Sequence, residues 1–204
     1  MAFSYLALGD SYTIGELVPV YESFPYQSVQ LLRKQHQLDF LAPEIVAKTG
    51  WTTDELLSSI QQTSFLTAYD VVSLLVGVNN QYRGRRVEDF MPEFETLIQK
   101  AIAFSGQKPH RVFVLSIPDW GATPFAADKD TQVIAVEIDA YNAACKKLAE
   151  AYHCRYIDIT TSQRKDAKDP ASLASDLLHP SGKEYAKWAQ ELSRTIQDAI
   201  GNHA

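Results

Sequence analysis

Five short runs of nearly continuous apolar, β-prone residues recur along this chain, with longer segments of helical apolar spacing between them. The runs cover residues 4–8, 39–47, 71–76, 111–117 and 155–159. Two of them read Val71-Val72-Ser73-Leu74-Leu75-Val76 and Val112-Phe113-Val114-Leu115, with almost no polar interruption. A strand of that kind is buried on both faces, as in a parallel sheet covered by helices. Helical stripes alternate with these runs: Val87, Phe90, Phe94, Leu97 and Ala101; Ile134, Ile138, Tyr141, Cys145 and Leu148; Tyr185, Trp188, Leu192, Ile196 and Ile200. Thr52-x-x-Glu55 and Ser181-x-x-Glu184 have the form of capping boxes, and Pro25 suits the first turn of a helix over 24–36. Repeated strand–helix alternation predicts a three-layer α/β/α sandwich around a parallel sheet. No linker, repeat or low-complexity segment divides it, so residues 1–204 are expected to form one domain.

Composition narrows the function. The formal net charge of −6 argues against a nucleic-acid binder, which usually presents a basic face. The longest apolar stretch, 71–78, is far too short to span a bilayer. No basic segment with an apolar run precedes Phe3, which sets a cytoplasmic expectation, or a periplasmic or secreted one if a leader has been removed. Cys145 and Cys154 have neither metal-ligand nor redox spacing and are expected to be buried thiols. The sequence leaves the oligomeric state open.

In an open parallel sheet, ligands bind outside the carboxyl ends of the strands, so the residues after each run carry the information. They are Gly9-Asp10-Ser11, Thr49-Gly50-Trp51, Gly77-Val78-Asn79-Asn80, Pro118-Asp119-Trp120-Gly121 and Asp176-Leu177-Leu178-His179. A serine attacks an ester only with a base to take its proton. Of the five histidines, His36, His110, His153 and His203 fall on helices, before a strand or at the terminus, and His179 alone falls in a loop at this edge. Asp176, three residues earlier, can fold back onto the other imidazole nitrogen. The resulting oxyanion needs preset donors, and the Ser11 N–H, the Gly50 N–H and the Asn79 side-chain amide are candidates.

Taken singly, Gly-Asp-Ser is a turn and Asp-x-x-His a cap or surface pair. Taken together and in this order, the four blocks resemble the SGNH hydrolases, the GDSL-type esterases and lipases. That resemblance implies a flavodoxin-like sheet of order 2-1-3-4-5 and cofactor-free hydrolysis of small-molecule esters or thioesters. It carries Ser11 over as nucleophile, His179 as base, Asp176 as its orienting partner, and Gly50 and Asn79 as oxyanion donors. The third block departs from the family pattern by ending in Asn80 rather than Asp, so Asn80 is expected to brace a loop. A second histidine beside Asp176 and His179 is absent, which gives a metal site little support.

Trp51, Trp120 and Phe125 flank the same edge as candidate acyl-site walls, and equally as candidate core residues; Arg83, with Arg85 and Arg86, reads as a solvated loop or as a docking point for an acidic group on the substrate. The longest connections are 119–129 and 160–182, and the second is too polar to cover an alkyl chain. Short acyl groups are therefore expected. A non-catalytic module binding an acylated or sugar ligand on the same fold is the alternative, and it has no need of Ser11, Asp176 and His179 together.

Overall fold

The computed structural model describes residues 2–201, which leaves His203 outside it. Strand β1 (Tyr5–Gly9) leads through helices α1 (Ser11–Ile14) and α2 (Phe24–Lys34) to β2 (Glu44–Ala47). Helix α3 (Thr53–Gln62) precedes β3 (Val71–Leu75), and α4 (Val78–Tyr82) and α5 (Val87–Phe104) precede β4 (Val112–Leu115). Then come α6 (Thr131–Ala151), β5 (Arg155–Ile157), α7 (Thr160–Asp166) and α8 (Gly182–Gly201).

All strand pairings are parallel and the order is β2-β1-β3-β4-β5. Every residue of β1, β3 and β4 is buried, which is why these runs carry so few polar residues. With this strand order, crossovers of the usual right hand place α2 on one face and α3, α5 and α6 on the other, because the chain turns opposite ways when it leaves β1 and β2. Helix α8 returns to pack along α2, and α5 packs between α3 and α6. Phe24, Tyr185 and Trp188 fill one layer and Phe90, Phe94 and Tyr141 the other. β1 sits where the strand order reverses, so a crevice opens outside the carboxyl ends of β1 and β3.

Several local expectations need correction. Residues 39–43 form no ladder beyond a Phe3–Phe40 bridge, and β2 starts only at Glu44. Pro43, which has no N–H to give a ladder, stands at that boundary. The polar stretch 160–182 is not an open connection, since it holds α7 and a 3-10 turn, Pro170–Ser172. The box at Thr52 forms, with the Glu55 carboxylate accepting from the Thr52 N–H at 2.9 Å. At Ser181 the reciprocal half is not made. The Ser181 N–H donates to the Ser172 carbonyl, and the Glu184 carboxylate turns to Lys187 and the Trp188 indole. Both cysteines are free and buried.

Candidate active site

The site starts with a glycine that only close packing explains. A Cβ on Gly9 would fall 2.0 Å from Thr13 Oγ1 and 2.4 Å from the Leu75 carbonyl oxygen. Without one, the chain can leave β1 and turn at once into α1 against the end of β3. Asp10 caps that turn by accepting from the Tyr12 N–H at 3.0 Å, which makes Ser11 the first helical residue. A first-turn N–H has no acceptor within its helix and stays available.

Asp10 is fully buried, and its Oδ2 has no hydrogen-bond partner. Burial pushes its carboxyl up to about 7, against weaker lowering by the Tyr12 N–H and the backbone at Asp10 and Gly77.

His179 arrives from the far end of the chain on a tight turn. A bridge between Leu173 and Pro180 closes the loop, and the Ala174 N–H donates to the His179 carbonyl at 2.8 Å. Leu177 adopts left-handed backbone, φ 59°, an uncommon conformation for a branched residue, between Asp176 and His179. His179 Nδ1 then lies 2.5 Å from Asp176 Oδ2, and His179 Nε2 lies 3.0 Å from Ser11 Oγ. Asp176 Oδ1 accepts from the Leu178 and His179 N–H groups at 3.1 and 3.0 Å. Burial raises the Asp176 carboxyl, but the His179 ring and these two N–H groups outweigh it and hold the group below its ordinary value. Asp176 is therefore a fixed anion that can orient a neutral imidazole and stabilise an imidazolium.

The third side of the site is the loop after β2. Gly50 has φ +82°, a region that favours glycine. Three side chains, one from just after α1 and two from α4 and its C-cap, tie the loop down. The Glu16 carboxylate accepts from the Thr49 hydroxyl, the Arg83 guanidinium donates to the Gly50 carbonyl at 2.6 Å, and Asn79 Nδ2 donates to the Trp51 carbonyl at 3.0 Å. Asn80, expected to brace a loop, instead holds the start of α3, accepting from the Thr53 N–H at 3.1 Å and donating to its hydroxyl at 2.7 Å. Asn79 Nδ2 carries two hydrogens, so one remains after its bond to Trp51.

Ser11, Gly50, Asn79 and His179 together line a cleft of about 210 Å³, with Val78, Tyr82, Trp120, Phe125 and Leu178 as its apolar wall. Of the wall residues anticipated from sequence, Trp120 and Phe125 are there. Trp51 is not among the lining residues, because its ring packs against the hydrophobic core. Arg83 is not either. Its guanidinium is occupied by the Gly50 carbonyl and by Glu55 at 3.3 Å. Sequence reasoning misses Tyr82, although it stands three residues after Asn79, a spacing that shares a helical face once α4 is recognised. Among the described residues, no group of three His, Cys, Asp or Glu side chains could hold a metal ion.

Residues 7–187 match the family model described as the GDSL-like lipase/acylhydrolase family. The chain belongs to this family. Its chemistry is accordingly the hydrolysis of acyl esters. No curated protein matches the sequence. Among solved structures, the lipase/acylhydrolase from Enterococcus faecalis is 19% identical, with a TM-score of 0.76 over 97% of this chain and 96% of that one. Axe2, an acetylxylan esterase from Geobacillus stearothermophilus, is 17% identical, with a TM-score of 0.73 over 95% and 94%. TesA is 17% identical, with a TM-score of 0.72 over 96% and 99%. At these identities the likeness shows a shared fold. Among the described residues of this GDSL-like hydrolase, no helix is long and apolar enough to cross a membrane.

Proposed function

We propose that this chain is a single-domain serine esterase that hydrolyses short-chain acyl esters without a cofactor. The observation that carries the reading is the unbroken line from Ser11 Oγ through the two ring nitrogens of His179 to Asp176, at 3.0 and 2.5 Å. A binding module has no use for that alignment.

In this scheme neutral His179 takes the Ser11 proton on Nε2 as Oγ attacks the acyl carbon. Negative charge then collects on the former carbonyl oxygen. The N–H groups of Ser11 and Gly50 and the free hydrogen of Asn79 Nδ2 meet it. His179 returns the proton to the departing alkoxide, which leaves an ester on Ser11. A water molecule, deprotonated by the same nitrogen, releases the acid and restores the hydroxyl. Asp176 keeps Nδ1 protonated and offsets the charge of the transient imidazolium.

Acyl length follows from the size of the cleft. Its 210 Å³ is below the roughly 300–1,000 Å³ of pockets that enclose drug-sized ligands. A methylene gains at most about 0.8 kcal/mol if fully buried, and nothing once outside. With p-nitrophenyl esters, kcat/KM should peak at about two to four acyl carbons and fall steeply by eight. Better turnover of the twelve-carbon ester than of the acetate, measured below micelle formation, would refute the short-chain assignment. No hydrolysis of any member of the series would refute the esterase reading itself.

A further inference from the structure

We propose that Gln81 is a positioning residue that sets the acyl-length limit of this site by holding the indole of Trp120 in place. The proposal rests on the esterase reading above. Trp120 is buried against the cleft, and its indole N–H donates to Gln81 Oε1 at 2.7 Å. Gln81 Nε2 in turn donates to Glu137 Oε2 at 2.6 Å. Gln81 is on α4, Glu137 on α6 and Trp120 in the loop after β4, so a single side chain ties three elements together.

The direction of the two bonds dictates the residue type. An indole N–H only donates and a carboxylate only accepts, so the link between them must offer both an acceptor and a donor without charge. A primary amide does this, and glutamine reaches.

Trp120 belongs to the buried hydrophobic core, and its remaining hydrogen bonds hold its backbone rather than its ring. Its carbonyl accepts from the Thr123 hydroxyl at 2.7 Å, and the neighbouring Asp119 accepts from the Gly121 N–H at 2.9 Å and from Arg164 at 2.8 Å. Tyr82 and Phe125 meet the indole edge-on, with ring centroids 5.1 and 6.2 Å away. Both are themselves exposed, so they are weak stops against rotation. The bond to Gln81 is the polar contact that fixes the ring. Without it the buried N–H has no partner, and turning toward solvent becomes favourable. The ring would then vacate the inner wall, and a longer acyl chain could enter.

The test is Gln81→Met, which keeps the length of the side chain and removes both hydrogen-bonding groups. The octanoate-to-acetate ratio of kcat/KM should rise about tenfold, the equivalent of burying roughly two further methylenes. The change should lie mainly in KM for the octanoate ester. In the two-dimensional NMR spectrum, the Trp120 indole resonance, assigned by its loss in Trp120→Phe, should move while the other indole signals stay. The pair Gln81→Glu with Glu137→Gln rebuilds the relay with one bond reversed and should restore the wild-type ratio, an outcome a general packing role would not give. If Gln81→Met does not fold, Trp120→Phe must itself raise the ratio, because it removes the tied N–H. An unchanged ratio in the folded variant, or failure of the rebuilt relay to restore it, overturns the proposal. An unmoved indole resonance overturns it regardless of activity. A wild-type protein that turns over no ester defeats the esterase reading instead, and the indole signal still decides whether Gln81 holds Trp120.

Discussion

Replacing Asp10 by Asn should remove a pH-dependent cost that this fold carries beside Ser11. Asp10 is fully buried, and its carboxyl is raised from 3.8 to about 7. The sign follows from proton counting. Below pH 3.8 both folded and unfolded chains hold the proton, and Asp10 contributes nothing to the pH dependence. Between the two values the folded state keeps a proton that the unfolded state releases, so this contribution to stability falls as pH rises. Above about 7 the full cost of a buried carboxylate persists. At about 1.4 kcal/mol per tenfold change in proton affinity, it reaches roughly 4 kcal/mol.

From about pH 5 to about pH 8 the change is on the order of 2–3 kcal/mol. In the Asp10→Asn variant the amide oxygen would still cap α1, and the amide nitrogen would occupy the unpartnered Oδ2 position. That nitrogen is itself an unsatisfied donor, at a cost of about 1–3 kcal/mol that does not vary with pH. The decisive quantity is therefore the change with pH of the stability difference between variant and wild type. Urea unfolding followed by tryptophan fluorescence measures it. Relative to wild type, Asp10→Asn should gain about 2–3 kcal/mol on going from pH 5 to pH 8, or roughly 5–10 °C in Tm for a domain of this size. A difference that stays constant between the two pH values would refute the reasoning.

Ser11→Ala should lower kcat on the order of 10⁶-fold with no loss of Tm, since only a hydroxyl is removed; retention of a few per cent of activity would remove Ser11 from the nucleophile role. Asn79→Ala should cost about 10²–10³ in kcat with little change in KM, the pattern of a donor used only in the transition state; a KM effect alone would make it a ground-state contact. Arg83→Ala should free the Gly50 carbonyl and lower kcat about tenfold for neutral and anionic esters alike, as expected of misplaced oxyanion donors. An increase in KM confined to anionic esters would return Arg83 to substrate docking.

The parts of this molecule that could be read from sequence are those in which one physical requirement acts on consecutive residues. β1, β3 and β4 are buried on both faces, and that burial writes itself into unbroken apolar runs. The parts that could not be read depend on partners distant in the chain. The Arg83 guanidinium looks like a free cation until the fold places the Gly50 carbonyl 33 residues away beneath it. Gln81 and Trp120 meet across 39 residues, and neither carries a local signal of the other. Trp51 directly follows Gly50, which lines the cleft, yet its ring turns to the core while its carbonyl accepts from Asn79. Adjacency along the chain located the loop but not the direction of the side chain.

The approach of Ser11 to His179, 168 residues apart, has the same character. The sheet delivers Ser11 at the end of β1, but no strand carries the Asp176–His179 turn, which runs directly into α8. Beyond the Leu173–Pro180 bridge, its position depends on how α8 lies on α2. There Gln27 Nε2 donates to the Gly182 carbonyl at 2.8 Å, and the Ser28 hydroxyl lies 3.4 Å from the Ala189 carbonyl. Tyr12, one residue after Ser11, has its ring 5.2 Å from the His179 ring and 6.2 Å from Trp188, and Phe24 lies 6.3 Å from the same indole. Each such aromatic pair contributes about 0.5–1.5 kcal/mol beyond its buried area. Together they tie α1, the His179 ring and α8 into one packed unit. A misplacement of about 1 Å in a catalytic group can cost 10²-fold in rate. The packing of α2 on α8 therefore helps bring His179 Nε2 to Ser11 Oγ, and the proposed chemistry would depend on that helix pair as well as on the motif residues.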